Sequence, residues 1–143
     1  MAARCVTSSS IQQNRFSKLS IQRNARQVQR CVLARGGAVT ELNTIEAYKE
    51  FIEHDGVVVI DFFASWCAPC KLIAPKIEEM AAELTDVKFG KLNLTETPNV
   101  GPFAKALEIK SMPCFHVYKN GGKFDQMTGN NPDGLRKMVI SAL

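Results

Sequence analysis

Cys67 and Cys70, with Ala68 and Pro69 between them, are the residues of this chain whose types and spacing most plainly imply chemistry. They follow an apolar run, Val57-Val58-Val59-Ile60-Asp61-Phe62-Phe63, and open a helix-like segment rich in Ile, Met, Ala, Lys and Glu. Two cysteines three positions apart at a helix start lie within one turn, so their sulfurs can close a small disulfide ring with little backbone movement. The first of them also feels the positive end of the helix dipole and its unpaired N–H groups, which favour thiolate over thiol. Thiolate is the attacking species of disulfide exchange, so the pair reads as a redox centre. Two other readings compete: a pair of small buried hydrophobes, or half of a zinc site. A tetrahedral zinc needs four ligands, and the further candidates, Cys114, His54 and His116, stand at distant positions.

The elements that must hold this pair are readable from periodicity. Asn43-Thr44-Ile45-Glu46 has the form of a capping box, and Ile45, Tyr48, Phe51 and Ile52 follow at helical spacing. That predicts a first helix to about Glu53, stopped by His54-Asp55-Gly56. Val57 to Phe63 is short, continuous and β-branched, as a strand covered on both faces would be. From Cys67 to about Leu84 the residues Leu72, Ile73, Ile77, Met80, Ala81 and Leu84 recur at threes and fours, with Pro75 interrupting them. Val87 to Leu94 alternates as a strand, and Pro98 to Leu107 reads as a helix despite Gly101 and Pro102. Cys114–Tyr118 and Lys123–Met127 flank Asn120-Gly121-Gly122, a hairpin signal. Asn131-Pro132 then supplies a cap and an N1 proline before Leu135, Met138, Val139 and Leu143. The expected order is αβαβαββα, an α/β fold with a central mixed β-sheet flanked by helices on both faces, in which only the hairpin pair must be antiparallel.

Asp61-Phe62-Phe63-Ala64-Ser65-Trp66-Cys67-Ala68-Pro69-Cys70-Lys71, Ala74-Pro75, Lys91-Leu92-Asn93, Met112-Pro113, Phe115, Lys119-Asn120-Gly121 and Thr128-Gly129 together resemble the thioredoxins, from about Val39 onward. The resemblance implies the thioredoxin fold for residues 39–143 and a thiol-disulfide oxidoreductase that reduces disulfides of target proteins. It makes Cys67 the attacking cysteine and Cys70 the resolving one, bonded to each other in the oxidised state. No cofactor or metal is implied, since both electrons reside in the two sulfurs. Asp61, by itself readable as a turn former or solvated cap, becomes a buried acid that accepts the Cys70 proton, tuned electrostatically by Lys91. Pro113, unremarkable at a strand start, is implied to follow a cis bond opposite the cysteines, with Met112 offering its backbone to an extended partner segment. Trp66, Ala68, Pro69, Met112, Pro113 and Gly129 are the implied substrate-binding surface. The chain departs from the family pattern at Ala68 (usually Gly), Phe63 (often Trp), Ser111 (commonly Gly) and Cys114 (usually Thr), which leaves potential and partner choice open. Cys114 itself reads as a small buried hydrophobe or as a regulatory thiol open to a reversible cap.

Composition narrows the class further. A chain of 143 residues, 45% hydrophobic and 22% charged, suits one soluble domain, and no apolar run approaches the roughly 18 residues of a membrane span. The charge is uneven: before Glu41 there is no acid, while Arg4, Arg15, Lys18, Arg23, Arg26, Arg30 and Arg35 are all basic. Taking those seven from the 18 Lys and Arg leaves 11 against 14 acids, so the body carries about −3, which argues against a nucleic-acid-binding domain. An Arg-rich, Ser-rich, acid-free start without an apolar core matches an organelle transit peptide and not a secretory signal; a disordered basic tail or a nucleic-acid-binding arm is the alternative. Val32-Leu33-Ala34 resembles the cleavage signature of algal and plant chloroplast leaders. Residues 1–38 are therefore expected to be a disordered, cleaved transit peptide, carrying Cys5 and Cys31 with it. The expected location is the chloroplast stroma, with the mitochondrial matrix as the alternative. Three remaining cysteines are not the even framework of a disulfide-stapled secreted domain. Expected partners are target proteins bearing disulfides and a thioredoxin reductase, ferredoxin-dependent in a plastid or a flavin enzyme using NADPH in a mitochondrion. A monomer without membrane or nucleic-acid partners is expected. A disulfide isomerase-like module and a structural thioredoxin-fold subunit of a plastid assembly remain the competing readings; Ala68-Pro69 and the lack of a secretory signal weigh against the isomerase.

Overall fold

The computed structural model describes residues 37–143, so the expected leader, all but its last two residues, lies outside the described residues, together with Cys5, Cys31 and Val32-Leu33-Ala34. In chain order the elements are β1 (Val39–Leu42), α1 (Ile45–Ile52), β2 (Val57–Phe63), α2 (Ala68–Glu83), β3 (Val87–Asn93), α3 (Val100–Ala106), β4 (Cys114–Lys119), β5 (Gly122–Thr128) and α4 (Pro132–Ala142). β1 adds an element that the expected αβαβαββα order lacks. It is an edge strand of four residues with only Leu42 buried, too short for alternation to register in the sequence.

The five strands form one sheet in the order β1-β3-β2-β4-β5. β3 pairs in parallel with β1 and β2, while β4 runs antiparallel to both β2 and β5. The expectation that only the hairpin must be antiparallel therefore needs correcting. The connection through α3 brings the chain back at the end of the sheet where β3 stops, Leu92 and Cys114 both lying opposite Phe62. A strand that starts where its parallel neighbours finish must run antiparallel to them. β2 is central and six of its seven residues are buried, as its continuous apolar sequence requires.

Helices cover both faces. α2 and α4 bring Ile73, Ile77, Met80, Leu135 and Val139 onto Val57, Val59, Phe89, Phe115 and Val117. On the other face Tyr48 of α1, with Phe51 and Phe103 partly buried beside it, packs on Leu42, Ile60, Phe62 and Leu92. Each such fully buried side chain contributes roughly 1.5–3 kcal/mol relative to exposure. Gly90 marks how closely α1 approaches: a Cβ there would lie 2.9 Å from Phe51 Cε1, 3.1 Å from Leu42 Cδ1 and 3.2 Å from Ile60 Cδ1.

Local chemistry fixes the boundaries. Thr44 Oγ1 accepts the Ala47 N–H at 3.1 Å and caps α1; Glu46 falls one position short of the reciprocal site, so the expected capping box is one-sided. α2 continues through Pro75 as one helix. Asn120 (φ 52°) and Gly121 (φ 79°) make the two-residue hairpin turn that demands positive φ at both centres. The Asn120 N–H donates to Gly56 O and its Oδ1 accepts from the Gly56 N–H, tying the hairpin tip to the turn before β2. Asn131 Oδ1 accepts the Gly134 N–H at 2.9 Å and caps α4. Arg136 of α4 pairs with Glu83 of α2 across that face.

Candidate active site

The site forms where β2 ends and α2 begins. After Phe63 the chain turns tightly, the Cys67 N–H donating to Ala64 O at 3.1 Å, and Cys67 becomes the N-cap of α2 with Pro69 in its first turn. A capping residue normally offers an oxygen to the unpaired N–H groups there. Here Cys67 Sγ accepts the Cys70 N–H at 3.3 Å, a contact that stabilises negative charge on that sulfur. Cys67 and Cys70 are joined by a disulfide across Cα atoms 5.3 Å apart. Both are buried, packed with Ala64 and against Phe63 and Met112, whereas Ala68 and Pro69 are exposed and Trp66 is 70% exposed.

Asp61 points to the α2-covered side of β2, in line with Val57 and Val59. It is 5% exposed and, among the described residues, its Oδ1 has no hydrogen-bond partner, so the solvated-cap reading fails. Burial pushes its carboxyl from 3.8 up to about 7, with the Lys91 charge pulling the other way. A carboxyl poised there can take a proton near neutral pH. Lys91 stands directly opposite Asp61 on β3; its Nζ lies 4.0 Å from Glu41 Oε2 and 6.0 Å from the Phe63 ring centroid.

The Met112–Pro113 peptide is cis. Pro113 O accepts the Gly129 N–H at 2.9 Å, and Gly129 holds φ 96°, a conformation that favours glycine. Met112 and Gly129 are half-buried and Pro113 is buried, so Pro113 backs the expected apolar surface and adds little area to it. Leu72 corrects the helix reading: it recurs with the apolar residues of α2 yet is 69% exposed. It lies three and four positions after Pro69 and Ala68 on the same exposed face of the first turns of α2.

Cys114 is buried against Phe62 and Tyr118, and burial raises its thiol above the ordinary value. That is the environment of an inert small hydrophobe. Among the described residues no three His, Cys, Asp or Glu side chains converge on a metal-sized site. Behind Cys114 lies a buried polar chain that periodicity does not single out. Tyr48 and Tyr118 hydroxyls meet at 2.5 Å, His116 Nδ1 lies 3.1 Å from Tyr118 Oη, and His116 Nε2 has no partner among the described residues. Burial holds His116 down to about 4. The period-two spacing of Cys114, His116 and Tyr118 was its one sequence trace.

The thioredoxin family model matches residues 39–141. Thioredoxin-2 of Saccharomyces cerevisiae is 38% identical over 104 residues, which is 72% of this chain and 97% of the yeast protein. Among solved structures, thioredoxin F from spinach chloroplast superposes with a TM-score of 0.68 at 35% identity, covering 76% of this chain and 96% of that one. The oxidised mitochondrial thioredoxin 3 of Saccharomyces cerevisiae gives 0.66 at 32% identity, covering 72% and 94%. With a disulfide at a helix N-cap as the centre of the fold, these matches place the chain in the thioredoxin family, whose members reduce protein disulfides by dithiol-disulfide exchange.

Proposed function

We propose that this thioredoxin serves a plastid, with Cys67 as nucleophile, Cys70 as resolving thiol, Asp61 as proton acceptor and Lys91 tuning that acid. In the reduced protein the Cys67 thiolate attacks one sulfur of a target disulfide, forming a mixed disulfide and releasing the target's other sulfur as thiolate. Asp61 then takes the proton of Cys70. The Cys70 thiolate attacks Cys67 Sγ, releases the second target thiolate and closes the Cys67–Cys70 bond. Two electrons have passed to the target, and a thioredoxin reductase returns two to the protein; in a plastid that reductase is ferredoxin-dependent. Trp66, Ala68, Pro69 and Met112, backed by Pro113 and Gly129, receive an extended target segment. Contact through so small a patch is weak and brief, as a carrier that must release its product needs. The protein works as a monomer.

The observation that carries this reading is Asp61, a buried acid whose Oδ1 has no hydrogen-bond partner among the described residues, raised to about 7 on the face that α2 covers. Following decay of the mixed disulfide by rapid quench at pH 7 tests it. Asp61→Asn slows that decay on the order of tenfold or more; equal decay defeats the assignment. The plastid reading is supported by the Arg-rich, Ser-rich, acid-free residues before Glu41. Residues 1–38 act as the transit peptide and 39–143 as the mature domain. Fused to a fluorescent protein and offered to isolated chloroplasts and mitochondria, residues 1–38 direct uptake and cleavage in the chloroplast. Uptake by mitochondria alone moves the protein to the matrix and its reductant to the flavin enzyme.

A further inference from the structure

Three charged residues stand in one row across the sheet: Glu41 of β1 is opposite Lys91 of β3, and Lys91 is opposite Asp61 of β2. The row continues through Phe115 of β4 and Met127 of β5. Residues directly opposite in neighbouring strands share a face, and this row lies one step beyond Val39, Phe89, Val59 and Val117 on the side packed by α2 and α4. Asp61 is the inner, buried end. Glu41, on the edge strand, is the outer end and is 59% exposed, with Lys91 between at 38%.

Lys91 has two carboxylates to serve and serves the outer one. Among the described residues its ion pair is with Glu41, and it makes none with Asp61. Among the described residues the other groups facing Asp61 offer no cation. β4 presents Phe115, the Cys114 thiol lies on the opposite face with Phe62, and α2 and α4 bring only Ile73, Ile77, Met80, Ala81, Leu135, Met138, Val139 and Ala142 to that core. Lys91 is thus the cation whose placement governs how comfortably Asp61 ionises.

We propose that Glu41 is a positioning residue for Lys91, drawing the ammonium toward the sheet edge and so limiting how strongly Lys91 stabilises the Asp61 carboxylate. The proposal rests on the reading of Asp61 as proton acceptor for Cys70 and adds what keeps that acid basic enough for the task. Removing the Glu41 charge frees Lys91 to lean inward, and Asp61 ionises at lower pH.

The test is a titration of the Asp61 carboxyl carbon by NMR in the oxidised full chain, paired with the pH profile of mixed-disulfide decay. Glu41→Gln lowers the Asp61 midpoint by roughly 0.2 to 0.7 pH unit, the range expected for one exposed ion pair. Glu41→Asp retains the wild-type midpoint. In a Lys91→Met background, Glu41→Gln leaves the midpoint where Lys91→Met alone puts it. No change, or a rise, in Glu41→Gln overturns the proposal, and so does an undiminished fall without Lys91. If the NMR midpoint moves as stated while the decay profile stays fixed, the Glu41–Lys91 link stands and the proton-acceptor reading of Asp61 is what fails.

Discussion

Two buried groups give this protein opposite responses to pH, and replacing one exposes the other. Asp61 titrates near 7 in the fold against 3.8 for an ordinary aspartate. The folded state therefore binds more protons than the unfolded state between those values, and stability from this group, complete below pH 3.8, is lost as pH rises toward 7. At about 1.4 kcal/mol per pH unit the loss reaches about 4 kcal/mol above pH 7. His116 does the reverse. Burial lowers it from 6.5 to about 4, so its contribution is complete above pH 6.5 and falls away by about 3 kcal/mol as pH drops to 4. Between pH 4 and 6.5 the two slopes nearly cancel, and these groups leave wild-type stability almost flat. Asp61→Asn removes one slope. Its gain over wild type in urea unfolding is about 1 kcal/mol at pH 4.5, about 2 at pH 5.5 and about 4 at pH 7.5, with an unchanged m value. The variant's own stability then falls on acidification, the His116 effect laid bare. A gain that is the same at pH 4.5 and 7.5, or no gain at pH 7.5, refutes the reasoning.

Other perturbations follow from the same contacts. Gly90→Ala drives a methyl into Phe51, Leu42 and Ile60 and destabilises by about 1–3 kcal/mol, read as a lower urea midpoint; an unchanged midpoint means α1 yields freely. Tyr48→Phe breaks the buried hydroxyl pair with Tyr118 and costs about 1–3 kcal/mol, with redox turnover unchanged. Iodoacetamide on the reduced native protein modifies Cys67 and leaves Cys114, 1% exposed, unmodified until unfolding; peptide mapping that finds Cys114 labelled in the native state restores a regulatory role for it.

What the sequence discloses here is what local physics decides. The cysteine spacing, the Asn120-Gly121 turn, the Asn131-Pro132 cap and the buried run of β2 each depend on a few adjacent residues, and each stands in the structure where expected. The missing pieces depend on residues far apart in the chain. β1 is four residues long and gains its identity only by pairing with β3, so Glu41 could not be seen beside Lys91. Asp61 reads as a cap until α2 covers it. Leu72 fits the helical period but falls just off the buried stripe of Ile73, Ile77 and Met80. The Tyr48–Tyr118 contact spans 70 positions, and nothing along the chain announces it. The resemblance to thioredoxins filled part of this gap by implying the buried acid and the cis Pro113, and left Glu41 and the His116 chain to the structure.

The division of labour between the two sulfurs is the centre of this account, and trapping tests it most directly. Cys70→Ser, reduced and mixed with a disulfide-bearing target such as insulin, accumulates one stable mixed disulfide per chain, and mass spectrometry of its peptides places the bond at Cys67. Turnover with dithiothreitol stops in that variant. A trapped bond at Cys114, or turnover that continues without Cys70, would contradict the account.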